Sequence, residues 1–338
     1  MFSKLKSFNS TPRGLFYFFL TIGSVASLIL SGPKLNLTKW PWELFWVGPM
    51  AQVFRGEWEL NQKIPLFVVP NYGPVDLRFY ALFVLLGLLA GYLLALSLAK
   101  IRGLADTVVD RLFVGLAFFG LIGARLFYVA FNWADFNDNL ILIFETYKGG
   151  LAVFGMLLFG AMYMYWYCWR YKFNFWLFCD FVAPGVLLGQ IFGRFGNFFN
   201  YESYGYPTKV WWKMYVPDSA NLEFLSSKFF HPTFLYEIIP NYILLLIILF
   251  NYHRLTNKHA GLVLAAYLCG YGFIRFFVEI FRVDPLLITL PSIPNVGAVD
   301  IRVSMAAAYF IFILGLVIWY HRRRVYVRYQ TATEIKMK

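Results

Sequence analysis

Charge is what this sequence has least of. Asp, Glu, Lys and Arg make up 14% of its 338 residues, whereas a soluble domain carries about 25%. Cysteine is scarce too: Cys168, Cys179 and Cys269 are the three present. An odd number without paired spacing gives neither a zinc site nor a disulfide framework. The sequence has no nucleotide loop, internal repeat or low-complexity tract, and too little Pro and Gly for a disordered or collagen-like chain. These absences exclude a secreted disulfide scaffold, a cytosolic enzyme and a nucleic-acid-binding domain. What the chain does have is apolar residues, 60% of the total, and aromatic rings, 21%. That composition belongs in lipid.

A helix needs about 20 mostly apolar residues to cross the hydrocarbon core. Eight stretches qualify: 14–31, 79–99, 112–131, 150–169, 180–200, 236–252, 261–281 and 303–320. The expected fold is therefore an all-α polytopic membrane protein of about eight transmembrane helices with a small outer-face head. Lys4, Lys6 and Arg13 precede the first stretch, as in a secretory signal. However, Ser31-Gly32-Pro33-Lys34 after it is a poor cleavage site, so it reads as a retained anchor.

The net charge of +12 is clustered beside the apolar runs, at Lys100, Arg102 and Arg111, at Arg170 and Lys172, at Arg254 and Lys258, and at Arg322 to Arg324. Placing these clusters in the cytoplasm satisfies the positive-inside rule and puts both termini there. The outer segments 32–78, 201–235 and 282–302 are then the long ones. The first is rich in Trp and Pro and reads as interfacial. Segment 201–235, with Tyr204, Trp211 and Trp212, reads as the head lying against the bilayer.

Arg125, Arg194 and Arg275 fall inside expected spans, where a charge costs at least about 2.5–3.5 kcal/mol and needs a reason. Each lies six or seven residues before the outer end of its span, roughly 9–10 Å deep at 1.5 Å per residue. A single such arginine can simply snorkel to headgroups. Three at one depth invite an anion, and the anion available there is a lipid phosphate, which a guanidinium grips with two parallel hydrogen bonds. Each also has polar companions at helical spacing: Tyr128 and Asn132 with Arg125, Asn197 and Tyr201 with Arg194, and Tyr271, Glu279 and Arg282 with Arg275. Gly185, Gly189 and Gly193 recur every four residues and would let another helix approach.

The run Gly193-Arg194-Phe-Gly196-Asn197-Phe198-Phe-Asn200-Tyr-Glu202-Ser-Tyr-Gly205 resembles the signature of the bacterial prolipoprotein diacylglyceryl transferases. His231 to Glu237 resembles the family's HPSQLYE element, with Thr233 and Phe234 in place of Ser and Gln. Tyr271-Gly272, Arg275, Glu279 and Arg282 match its YGxxRxxxExxR element. Asp180-Phe181, Ala183-Pro184, Gly123, Arg125 and Tyr128 also fit. The resemblance covers residues 76–320, a seven-helix domain that includes the head 201–235. Residues 1–75 form an extra anchor with an interfacial segment, and 321–338 a basic cytoplasmic tail.

The resemblance implies transfer of a diacylglyceryl group from phosphatidylglycerol to the lipobox cysteine of a prolipoprotein signal peptide. The reaction would take place in the bacterial cytoplasmic membrane, at a site open to the outer leaflet, with no metal or cofactor. It implies that Arg194 and Arg275 bind and stabilise the phosphate. Tyr80, Arg125, Asn197, Asn200, Glu202, Tyr271, Glu279 and Arg282 would surround the substrate. One departure matters: the family has a histidine in a GGxxxHGG element, and here Gly149-Gly150 lead to Phe154 at that position. Phe cannot accept a proton, and a cysteine thiol has a pKa near 8.5. His231 could replace it as a catalytic residue, Glu202 or Glu237 could act as base, or the arginines could make a base unnecessary. The alternative function is a degenerate paralogue that binds phospholipid or lipoprotein as a subunit, docking a membrane partner through its N-terminal extension.

Overall fold

The computed structural model describes residues 63–336, apart from 70–72, 147–148, 218–223, 225, 284–286 and 294–296. The expected span 14–31 and most of the interfacial segment after it lie outside the described residues, as does the proposed partner surface. Within the described residues the chain forms α1 (Phe79–Ile101), α2 (Asp106–Phe131), α3 (Val153–Tyr171), α4 (Phe175–Asn200), α5 (Thr233–Lys258), α6 (Leu262–Ile280) and α7 (Val303–Lys336). It is a polytopic, mainly helical membrane protein.

Six of these helices are long and apolar enough to cross a membrane, so the expected count of about eight is not reached among the described residues. The expected span 150–169 does form a helix, α3, but Tyr163, Tyr165, Trp166, Tyr167, Trp169 and Arg170 dilute its apolar run. The helix α7 continues past residue 320, through the stretch expected as a basic tail, to Lys336.

The all-α expectation holds, with small sheets confined to the connections. Three two-stranded antiparallel sheets lie between helices: β1 (Lys63–Val69) with β2 (Gly73–Arg78), β3 (Met214–Tyr215) with β4 (Phe229–Phe230), and β5 (Leu287–Ile293) with β6 (Gly297–Arg302). Local strand pairing satisfies backbone N–H and C=O groups that would otherwise lack partners beside the bilayer. Proline marks where two of the ladders slip. The register shifts between Pro65 and Phe67, and again between Leu290 and Ile293 around Pro291.

The chain divides into two compact units, one running from Tyr92 to Ala183, the other comprising the described residues on either side. In the second of these, α1 and α4 meet at glycines. A Cβ on Gly91 would come within 2.7 Å of the Gly185 carbonyl, and one on Gly87 within 2.8 Å of Phe192 Cβ. The stripe expected on α4 therefore serves at Gly185 and Gly189, whereas a Cβ on Gly193 would meet nothing within 4 Å among the described residues. Phe79 and Phe83 each stack on Phe199 at 5.1 Å, and Phe198 stacks on Phe234 at 4.6 Å, joining α1, α4 and α5 at one end.

Candidate active site

The end of α4 is shaped by two residues in the left-handed backbone region, Tyr201 (φ 53°) and Ser203 (φ 57°). Non-glycine residues rarely adopt it, at a cost of about 1–3 kcal/mol each, and tend to do so at functional sites. Here the backbone doubles back, with Glu202 N–H donating to the Asn197 carbonyl at 3.0 Å. The Glu202 carboxylate then accepts from Asn197 Nδ2 at 3.3 Å and Asn200 Nδ2 at 3.1 Å. Asn197 Oδ1 in turn accepts from Arg194 Nη1 at 3.3 Å. Arg194 and Asn197, expected from spacing, and Asn200 and Glu202, expected from the resemblance, are thus one hydrogen-bonded chain.

Beside them stands a ladder of alternating charge. Arg194 Nε lies 2.9 Å from Glu237 Oε1, and Arg275 Nη1 lies 3.1 Å from Glu237 Oε2. Arg275 Nη2 lies 2.8 Å from Glu279 Oε2, with Arg282 Nη1 3.8 Å away on the far side. Both carboxylates are buried, and both central arginines nearly so. Tyr271 accepts a hydrogen bond from Arg194. Tyr80 packs against α4 where Gly196 has no side chain, since a Cβ there would meet the ring at 2.8 Å.

Two members of this array were not among the expected substrate-contacting residues. Glu237 bridges both arginines, yet sequence marks it only as the last residue of the His231–Glu237 element and a possible base. The cost argument applied to arginines, extended to acids inside spans, would have singled it out. Arg302, at the end of β6, donates from Nη1 to the Glu279 carbonyl at 2.8 Å and from Nη2 to Tyr206 Oη at 3.2 Å. It caps the negative end of α6. The Thr233 departure keeps a hydroxyl that donates to the Ser203 carbonyl, and the Phe234 departure supplies the ring stacked on Phe198. One turn deeper, Gln190 Nε2 donates to Tyr267 Oη at 3.0 Å, and Asn241 is buried with no hydrogen-bond partner for its amide among the described residues.

His231 belongs to a different network. Trp212 Nε1 donates to Tyr236 Oη at 2.6 Å, and Tyr236 Oη lies 2.8 Å from His231 Nδ1. Burial lowers the imidazole pKa, which favours a neutral ring that accepts the tyrosine proton. Its backbone bonds Gly205 and Tyr206, so the residue ties the head to the start of α5.

Arg125, in the other unit, also has its own partners. Its Nε donates to Ile143 O at 2.7 Å, Nη2 to Leu142 O at 2.6 Å, and Nη1 to the carbonyls of Gly149 and Gly150, each at 2.9 Å. Four carbonyls around one guanidinium leave little for a phosphate, so the geometry is that of a backbone clamp. Both glycines have positive φ, 104° and 77°, and a Cβ on Gly150 would lie 2.6 Å from Arg125 Nη1. Phe154 stands just beyond, half-exposed in the first turn of α3.

The geometry defines a polytopic helical membrane protein with two nearly buried guanidiniums held at fixed spacing near one end of its spans, a chemistry suited to oxyanions. The comparisons narrow that class. Residues 67–321 match the sequence model of the prolipoprotein diacylglyceryl transferases. The chain is 36% identical over 264 residues to the phosphatidylglycerol–prolipoprotein diacylglyceryl transferase of Parasynechococcus marenigrum (strain WH8102), covering 76% of this chain and 94% of that one. The protein of the same description from Prochlorococcus marinus (strain MIT 9301) is 35% identical over 277 residues, covering 76% and 92%. That of Synechococcus sp. (strain CC9902) is 38% identical over 225 residues, covering 64% and 80%. The chain belongs to the prolipoprotein diacylglyceryl transferase family, a membrane family of lipoprotein biosynthesis.

Proposed function

We propose that the chain transfers the diacylglyceryl group of phosphatidylglycerol to the lipobox cysteine of prolipoproteins, at the outer face of the cytoplasmic membrane. One observation carries this reading: Glu237 holds Arg194 and Arg275 on its two oxygens, 2.9 and 3.1 Å away. A phosphate offers oxygens of the same charge sign to the same pair.

In the reaction the cysteine sulfur attacks the glyceryl carbon that bears the phosphate. A C–S bond forms as the C–O bond breaks, and the electron pair leaves on the oxygen of glycerol phosphate. Charge grows on that leaving group, and guanidiniums fixed in a water-poor site stabilise it without reorganising. The thiol proton needs an acceptor. Glu237 is engaged by both arginines and His231 by Tyr236, whereas Glu202 is exposed and, among the described residues, held by two asparagine amides. Glu202 is therefore the proposed base. Asn197 and Tyr271 orient Arg194, while Glu279 and Arg282 steady Arg275.

The second reading is a lipid-holding paralogue without turnover, which Phe154 favours because its ring accepts no proton. Both readings meet one assay: purified protein in phosphatidylglycerol micelles with a lipobox peptide, read by mass. A gain of one diacylglyceryl unit, lost in Arg194→Ala, is the expected result. An unmodified peptide, with phosphatidylglycerol still bound and released by Arg194→Ala, would establish the second reading.

A further inference from the structure

A cleft of about 480 Å³ lies between α5, α6 and α7, away from the charged ladder. Arg254, on its rim, is 17 residues along α5 from Glu237. That is about 25 Å at 1.5 Å per residue, close to the ~30 Å hydrocarbon thickness. The cleft thus opens at the opposite membrane face.

Its rim and wall differ in character. Arg254 of α5 and Arg323 of α7 face it together with Asn251 and His259, and among the described residues no acidic side chain lines it. Neither arginine has a carboxylate partner among the described residues. Below the rim the wall is apolar, running down α5 through Ile248 to Leu244. Ten residues from Arg254 to Leu244 make about 15 Å, the depth of one leaflet. Trp319 stands one turn from Arg323 on the same wall, where an amphipathic ring suits the interface.

We infer that this cleft binds one anionic glycerophospholipid as a resident lipid, separate from any lipid consumed at the ladder. Its phosphate rests on Arg254 and Arg323, and an acyl chain lies along the wall, bridging α5 and α7. Basic pockets between membrane helices bind anionic headgroups in this manner. An acidic protein segment would match the two arginines but not an apolar wall one leaflet deep.

The test is native mass spectrometry of the full-length protein in detergent, titrated with phosphatidylglycerol or phosphatidylcholine. The Arg254→Gln/Arg323→Gln variant should bind one phosphatidylglycerol about 30-fold more weakly, about fivefold per arginine removed. Arg194→Ala should leave that lipid in place. An unchanged phosphatidylglycerol affinity in the double variant, or equal retention of phosphatidylcholine by the wild type, overturns the assignment. A second measurement does not depend on the double variant folding. In Arg194→Ala, which removes lipid held at the ladder, brominated phosphatidylglycerol should quench tryptophan emission more than brominated phosphatidylcholine, and the difference should vanish when Trp319→Phe is added. Equal quenching by the two lipids overturns it as well, as does displacement of phosphatidylglycerol by a polyglutamate peptide at equal concentration.

Discussion

Single side chains decide how the cations of this site coexist in lipid. Glu237 compensates Arg194 and Arg275 at once, so Glu237→Gln strips Arg194 of its carboxylate and leaves Arg275 with Glu279 alone. Breaking a buried pair from one side costs about 3–5 kcal/mol. The variant should show a marked fall in thermal midpoint together with loss of transfer to a lipobox peptide. Asn241 predicts the opposite sign: a buried amide without partners costs about 1–3 kcal/mol, so Asn241→Leu should raise the thermal midpoint. At Phe154, returning an imidazole should raise the transfer rate per enzyme, and an unchanged rate would mean that position takes no part in proton transfer. The arginines, Asn197 and Glu279 were legible because charge in an apolar run is conspicuous and helical spacing fixes its companions. The bridge through Glu237 was not, because spacing along one helix says nothing about which neighbour answers it.

Among the elements, the α4 glycines separate close packing from mere spacing. Gly185 and Gly193 lie on one four-residue repeat, yet a Cβ on Gly185 would sit 2.6 Å from the Gly91 carbonyl while one on Gly193 would meet nothing. Gly185→Ala should destabilise by about 1–3 kcal/mol, as overpacking does, and Gly193→Ala should not. Thermal melts of the two variants side by side check this. Helices were the legible part of the fold because length and hydropathy mark them directly. The β5–β6 hairpin escaped notice because Pro291 lies inside a strand, where the ladder accommodates it only by slipping register. The double glycine at 149–150 was visible as a motif, but its reason, a guanidinium held by four carbonyls, exists only once the intervening 3-10 turn has folded.

For the molecule as a whole, the ladder from Arg194 to Arg282 contains three guanidiniums and two carboxylates, an excess of one positive charge. A lipid phosphodiester carries one negative charge and brings that sum to zero. Free glycerol phosphate is a monoester with a second pKa near 6, so at neutral pH it carries close to two and overshoots. Under the proposed reaction, the released dianion leaves the buried array with one uncompensated negative charge and a larger desolvation cost than the phosphodiester it replaces. Glycerol phosphate should accordingly inhibit more strongly at pH 5.5, as a monoanion, than at pH 7.5. Inhibition constants that do not weaken across that interval would show that product leaves for some other reason.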